Sequence, residues 1–312
     1  MKDLPRHHAL QFIRGGGALR VGLIPELIGS GDIMNSDLER KIREDLAKAG
    51  MLSELLARKA FDDAGWSVRG PGAYFDREME KSRESDFRAT SVITVEDSGK
   101  NCVHSEFCAA VEVKKSEKPW VVFKRPLATH DRGCAWNNLI ARINLPCESF
   151  RLAPWLSEYS LLNVLGWEGA GIHESFKSPD QPSKWYSAFV SALKWACQMR
   201  DECPDADGVQ QDIRLEPAEF YFFQPVVVLD GQLFSAELDE NSEIKIDEIE
   251  FAAFRFSYDS KSYEKNSFRV DIVTVEGLEK YINLLKRRHQ HVVAGIKRLA
   301  NLDGSAGVAG SS

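Results

Sequence analysis

Phe107-Cys108-Ala109-Ala110-Val111-Glu112-Val113-Lys114-Lys115 is the stretch on which the fold turns. In an extended strand alternate side chains share a face. Phe107, Ala109, Val111 and Val113 therefore form one apolar face suited to a core. Cys108, Ala110, Glu112 and Lys114 form the other, small at first and charged towards the strand's end. Upstream, Phe87 to Glu96 is rich in β-branched residues and stops at Asp97-Ser98-Gly99-Lys100, a turn signal. A turn between the two strands makes them antiparallel neighbours. The start of one then lies beside the end of the other, which brings Asp86 to Glu112 and Lys114.

Further elements read outward from this pair. Residues 36–64 carry two helical patterns joined at Gly50, with Ser36 and Glu39 spaced as a capping box. The second helix sets Leu52, Leu55, Leu56 and Ala60 on one stripe and ends at Gly65, suited to a left-handed cap. Trp66 to Val68 and Ala73 to Asp76 read as strands flanking the turn Arg69-Gly70-Pro71-Gly72. Trp120 to Phe123 is another strand. Residues 124–182 hold several prolines, Trp136, Trp155, Trp167 and short helical patterns such as 136–143, and read as an insertion on the core. Lys184 to Arg200 is a helix. Glu219 to Leu229 and Gln232 to Leu238 read as a hairpin across Asp230-Gly231. Glu250 to Tyr258 and Phe268 to Val275 form a further antiparallel pair. A final helix, about 275–299, carries Leu278, Ile282, Leu285, His289, Val292 and Ile296 at three- and four-residue spacing. Residues 1–35 read as an irregular lead-in, whose Gly15-Gly16-Gly17 lacks the Lys-Ser/Thr of a P-loop.

The chain has 312 residues, 43% apolar and 28% charged. That is enough apolar surface to offset chain entropy, which excludes global disorder. No run reaches the roughly 18 apolar residues of a membrane helix, and the first residues lack a signal-peptide core. The expectation is a cytoplasmic protein without membrane contact. Cys102, Cys108, Cys134, Cys147, Cys197 and Cys203 form no C-x-x-C pair, so reduced thiols are expected rather than a zinc ribbon. The net charge of -7 is unevenly spread, acidic over 235–250 and basic over 277–300.

Two carboxylates meeting at one end of a sheet suit a hard cation with oxygen ligands, Mg²⁺ first and Mn²⁺ as its substitute. Such an ion lowers the pKa of bound water and neutralises charge growing on a phosphate. Lys114 would orient the water or steady that charge. Glu54, on the preceding helix, either tips towards this site or pairs with Arg58 one turn on. Lys115 is placed to contact phosphate or to lie along the surface. Lys286-Arg287-Arg288 reads equally as a phosphate-tracking patch and as a solvated helix face. His289-Gln290-His291 does not read as a metal pair, since residues two apart on a helix diverge.

Ser53-Glu54-Leu55-Leu56, Gly65-Trp66, Arg83-Glu84-Ser85-Asp86 and Glu112-Val113-Lys114-Lys115-Ser116 with Pro119-Trp120 resemble the PD-(D/E)XK, or restriction-endonuclease-like, nuclease superfamily. Ser85 stands where the pattern has proline. The resemblance covers about residues 50–125, with weaker support at 184–200 and 219–229. It implies an α/β protein with an αβββαβ core around a mixed sheet, preceded by a helical N-terminal arm and followed by C-terminal β-hairpin and helix extensions. On that reading 1–50 is the arm and first helix, and 51–238 is the core with its insertion. Residues 239–302 hold the antiparallel pair and basic helix, and 303–312 a flexible tail. The implied activity is Mg²⁺-dependent endonucleolytic hydrolysis of DNA, with Asp86 and Glu112 as metal ligands and Lys114 and Glu54 completing the catalytic set. A role in bacterial genome defence fits the resemblance. The alternatives on the same fold are a non-catalytic nucleic-acid-binding or scaffold module and an RNA-directed phosphodiesterase. The sequence leaves open whether the chain forms a homo-oligomer or joins a partner subunit.

Overall fold

The computed structural model describes residues 36–96, 102–127, 139–143, 153–178, 180–203, 218–263 and 267–305. The expected lead-in 1–35, the turn at 97–100, Trp136, Cys134, Cys147 and the end of the expected tail, 306–312, lie outside the described residues. The chain divides into two compact units, 1–44 and 45–312. Of the first, only the start of helix α1 (Ser36–Lys48) is described; its charges form i,i+4 pairs such as Arg43–Glu39 and Arg40–Glu44.

The core elements of the second unit run α2 (Met51–Asp63), β1 (Ser67–Arg69), a small hairpin of β2 (Gly72–Asp76) and β3 (Lys81–Ser85), then β4 (Phe87–Glu96) and β5 (Cys102–Lys115). After β6 (Trp120–Pro126) come β7 (Leu139–Ile143), the short helices α3 (Ala153–Glu158) and α4 (Leu161–Leu165), and β8 (Trp167–Glu174). Helix α5 (Lys184–Asp201) leads to β9 (Ala218–Asp230), β10 (Leu233–Leu238), β11 (Ile244–Glu248), β12 (Phe251–Ser257), β13 (Ser267–Thr274) and helix α6 (Leu278–Ser305). The protein is mixed α/β, built on a mixed sheet of eleven described strands in the order β1-β4-β5-β9-β13-β12-β8-β6-β10-β11, with β7 also paired to β9.

The alternation read in the deciding stretch organises the interior. Phe107, Ala109 and Val111 pack with Phe61 of α2, Phe222 of β9 and Leu285 of α6. Cys108 and Ala110 face the other way and pack with Leu193 and Ala196 of α5. The sheet is thus covered on both faces. As expected, β4 and β5 are antiparallel, with Phe87 opposite Val111, and β12 and β13 pair antiparallel. Gly65, at φ 81°, closes α2 in the left-handed region.

Several expectations need correction. β9 and β10 do not form a hairpin. β9 is flanked by β5 along its whole length and by β7 and then β13 on its other side, so no edge remains. β10 pairs instead in parallel with β6 and antiparallel with β11. Asp230 is held by Ser53 of α2 rather than by a tight turn. The insertion is no appendage: β8 pairs with both β6 and β12 inside the main sheet, and 139–143 is strand, not helix. The stripe Leu52, Leu55 and Leu56 of α2 is exposed, while Ser53, Ala57 and Phe61 are buried. No described helix is long and apolar enough to cross a membrane.

Candidate functional site

The antiparallel register of β4 and β5 carries Asp86, just before β4, to the level of Glu112. Asp86 is fixed by its own strand pair: the backbone N–H of Val113 donates to Asp86 Oδ2 at 2.6 Å. Glu112 is 6% exposed. Lys114 Nζ reaches its Oε1 at 2.5 Å, and Ser191 Oγ of α5 donates to its Oε2 at 3.2 Å. Burial holds the Glu112 carboxyl above its ordinary range; the Lys114 ammonium opposes this and the Asp86 carboxylate adds to it.

Glu54 joins the same electrostatic group. It pairs with Arg58 at 2.6 Å, as its spacing on α2 allows, and also lies in the field of Asp86 and Lys114. Burial raises its carboxyl, the Arg58 charge opposes, and Asp86 adds. Arg58 does more than pair: it donates to the carbonyl oxygens of Asp86 at 2.7 Å and Gly70 at 3.3 Å. It therefore clamps α2 to the backbone that carries Asp86. So Glu54, Asp86, Glu112 and Lys114 are brought together.

An open cleft of about 1200 Å³ lies over this group, lined by Glu54, Asp86, Val113 and Lys114. Lys48, Lys115, Lys118 and Lys184 stand around it, together with Glu84, Glu117 and Glu174. Three of these bond to neutral oxygens: Lys115 to Ala47 O at 2.6 Å, Lys118 to Gln181 Oε1 at 3.4 Å and Lys184 to Lys115 O at 3.2 Å. None of the four has a carboxylate partner among the described residues. Lys115 thus lines the cleft, with its ammonium on the end of α1. Lys48, Lys118 and Lys184 were missed in the sequence, because they lie on separate elements and only the fold gathers them. Ser191 was missed because a serine among the alternating residues of α5 carries no signal of its own.

The expected basic patch on the last helix does not form as one face. Arg288 is 1% exposed and donates to Leu156 O at 2.9 Å and Gln224 Oε1 at 3.3 Å. It falls on the stripe of Leu285 and Val292 that faces the sheet. Lys286 is half-buried and Arg287 exposed, remote in sequence from the site and absent from the lining of its cleft. His289 is buried between Ser91 Oγ and Ser105 Oγ, 3.1 Å from each, while His291 meets Glu158 at 2.8 Å. The two histidines serve different contacts. Trp155 packs on the core, and Lys124 Nζ stands 5.6 Å from the Trp167 ring.

Among the described residues no three His, Cys, Asp or Glu side chains form a metal-holding group. The donor set still fits Mg²⁺, which keeps several waters and is commonly held by one or two carboxylates plus substrate phosphate. Asp86 and Glu112 would supply those two carboxylates. No protein-family model, curated protein or solved structure matches this chain.

Proposed function

We propose that this protein is a metal-dependent nuclease that hydrolyses phosphodiester bonds, with DNA as its substrate class. The observation that carries the reading is the meeting of Asp86 and Glu112 across adjacent strands, with Lys114 on Glu112, beneath a cleft edged by lysines without carboxylate partners among the described residues. The order α2-β1-β4-β5-α5-β9 supports it. β1, β4 and β5 are antiparallel in turn, and β9 returns parallel to β5 after a helix, as an αβββαβ core requires.

In this reading the lysine edge gathers the phosphate backbone by displacing its counterions. Asp86 and Glu112 hold Mg²⁺, which when bound supplies a polarised water and neutralises phosphate charge. The N–H of Val113 fixes the Asp86 carboxylate, and Ser191 fixes that of Glu112. Lys114 exchanges part of its bond to Glu112 for the phosphate oxygen that gains charge, where a preorganised donor lowers the barrier most. The Arg58 charge opposes the burial that raises the Glu54 carboxyl, and Arg58 holds Asp86 in place through its carbonyl.

The test is cleavage of plasmid, linear duplex, single-stranded DNA and RNA in Mg²⁺. Cleavage of DNA that stops in EDTA and returns with Mn²⁺ is expected. Lys114→Ala should lose about 10²-fold in turnover, with binding in Ca²⁺ much less affected. Cleavage that persists in excess EDTA, or a fully active Lys114→Ala, would overturn the assignment. Cleavage of RNA alone would transfer it to an RNA-directed enzyme.

A further inference from the structure

We infer that Arg69 and Arg88 form a second phosphate contact, which holds the nucleic-acid backbone beside the Asp86–Glu112 pair; the nature of the ligand rests on the nuclease reading. β1 and β4 are antiparallel, and their register sets Arg69 directly opposite Arg88. Side chains so placed start about 5 Å apart, and like charges in that position repel. Neighbouring cations are neutralised: Arg58 by Glu54, Lys114 by Glu112, Lys194 by Asp76 and Glu78, Arg77 by Asp201. Arg69 and Arg88 have no carboxylate partner among the described residues. An anion from outside would relieve the repulsion between two opposed guanidinium groups.

The surroundings suit one. The pair borders a cavity of about 200 Å³ between the turn 69–73 and α5, walled by Trp195, Gln198 and Met199. Glu202 also lines it, but its Oε1 is engaged by Gln198 Nε2 at 2.6 Å. Guanidinium forks match phosphate oxygens in pairs, which point charges do not.

The cavity is also tied to the proposed catalytic group. Arg88 lies opposite Ala110, on the face of the sheet that α5 covers, and Asp86 is two residues before it. That is about 7 Å along an extended chain, or roughly two base-pair rises along the axis of B-DNA. The turn carrying Arg69 packs closely against the backbone of Asp86 and Phe87. A Cβ on Gly70 would overlap the Asp86 carbonyl oxygen and come within 2.7 Å of Phe87 Cβ. Arg58 bonds to the carbonyls of both Gly70 and Asp86. The arginine pair and the proposed metal-binding aspartate thus stand on backbone segments that touch and share Arg58 as donor.

The experiment measures Kd for duplex and single-stranded oligonucleotides in Ca²⁺ against KCl concentration, for the parent, Arg69→Gln/Arg88→Gln and Arg69→Lys/Arg88→Lys. The glutamine variant should bind about tenfold more weakly, with a salt slope lower by roughly 1 to 2. The lysine variant should recover the slope but not the full affinity, since charge returns without the fork. Without nucleic acid the glutamine variant should melt no lower than the parent, because a like-charge opposition is gone. A parent that binds while the glutamine variant keeps its affinity and slope overturns this site alone. A parent that binds but cleaves nothing overturns the catalytic reading and leaves the site to be decided by the slope. A parent that binds no nucleic acid overturns both.

Discussion

Replacing Arg58 by methionine keeps the apolar stem near Phe87, whose ring centre lies 5.8 Å from the guanidinium, and removes every polar contact of the clamp. Three interactions are lost. The bond to the Asp86 carbonyl at 2.7 Å is charge-assisted and mostly shielded, worth about 1.5–3 kcal/mol. The one to Gly70 at 3.3 Å is longer and adds little. The ion pair to Glu54 joins side chains only 23% and 17% exposed, so it exceeds the ~0.5 kcal/mol of a solvated helical pair. Together these give a destabilisation of about 2–4 kcal/mol, or on the order of 5–10 °C in Tm for a unit of this size. The loss should depend on pH with a defined sign. Burial already raises the Glu54 carboxyl, and removing Arg58 takes away the largest opposing influence. A carboxyl raised in the folded state keeps a proton that the unfolded chain has released. Stability therefore falls as pH climbs from the ordinary carboxyl range through the raised folded value. The deficit of Arg58→Met should be smaller at pH 4.5 than at pH 7.5, and Glu54→Gln in the same chain should recover at least about 1 kcal/mol at pH 7.5. Urea unfolding at both pH values measures all of this. A deficit under about 0.5 kcal/mol at pH 7.5, or one independent of pH, would refute the clamp.

Two further outcomes follow from the geometry. Lys48→Glu/Lys118→Glu/Lys184→Glu should weaken DNA binding and lower its salt slope by about 3, roughly one per lysine; fluorescence anisotropy over a KCl series checks it, and an unchanged slope would remove these residues from the interface. His289 is held down to about 4 by burial, so the unfolded chain takes up its proton first as pH drops below about 6.5, and stability is lost down to about pH 4, by about 3 kcal/mol in all. His289→Gln should flatten that limb in urea midpoints taken between pH 4 and 7, and parent and variant curves that run parallel would show the histidine titrates alike in both states.

The strands nearest the proposed chemistry were legible because their alternation is strict. β4 spans the residues read as strand, and β5 differs only at its start, where His104, Ser105 and Glu106 hide a strand whose Ser105 is buried against His289. The grouping of Glu54, Asp86, Glu112 and Lys114 followed from that register and from the helix before it. What failed was reasoning by local richness. In α2 the leucines are not the buried residues, since Ser53, Ala57 and Phe61 face the sheet. In α6 a run of three basic residues hid the helical phase: Arg288 is three on from Leu285 and four before Val292, and so must turn inward. Asp230-Gly231 has hairpin chemistry, but pairing depends on which strand edges are free, and those are fixed by distant chain. The lysines of the cleft could not be seen before topology had assembled them.

The long parallel pairing of β5 with β9 bears on how the molecule comes into being at the ribosome. β4 and β5 are neighbours in sequence and can pair as soon as they emerge. β5 then waits for β9, more than a hundred residues later, and Ser191, which fixes Glu112, arrives only with α5. A nascent chain that ends before β9 would hold its acidic residues on an unsupported hairpin with one edge open. The proposed nuclease would thus stay without its full set of supports until most of the polypeptide has been made, a delay written into the strand order rather than into any inhibitor.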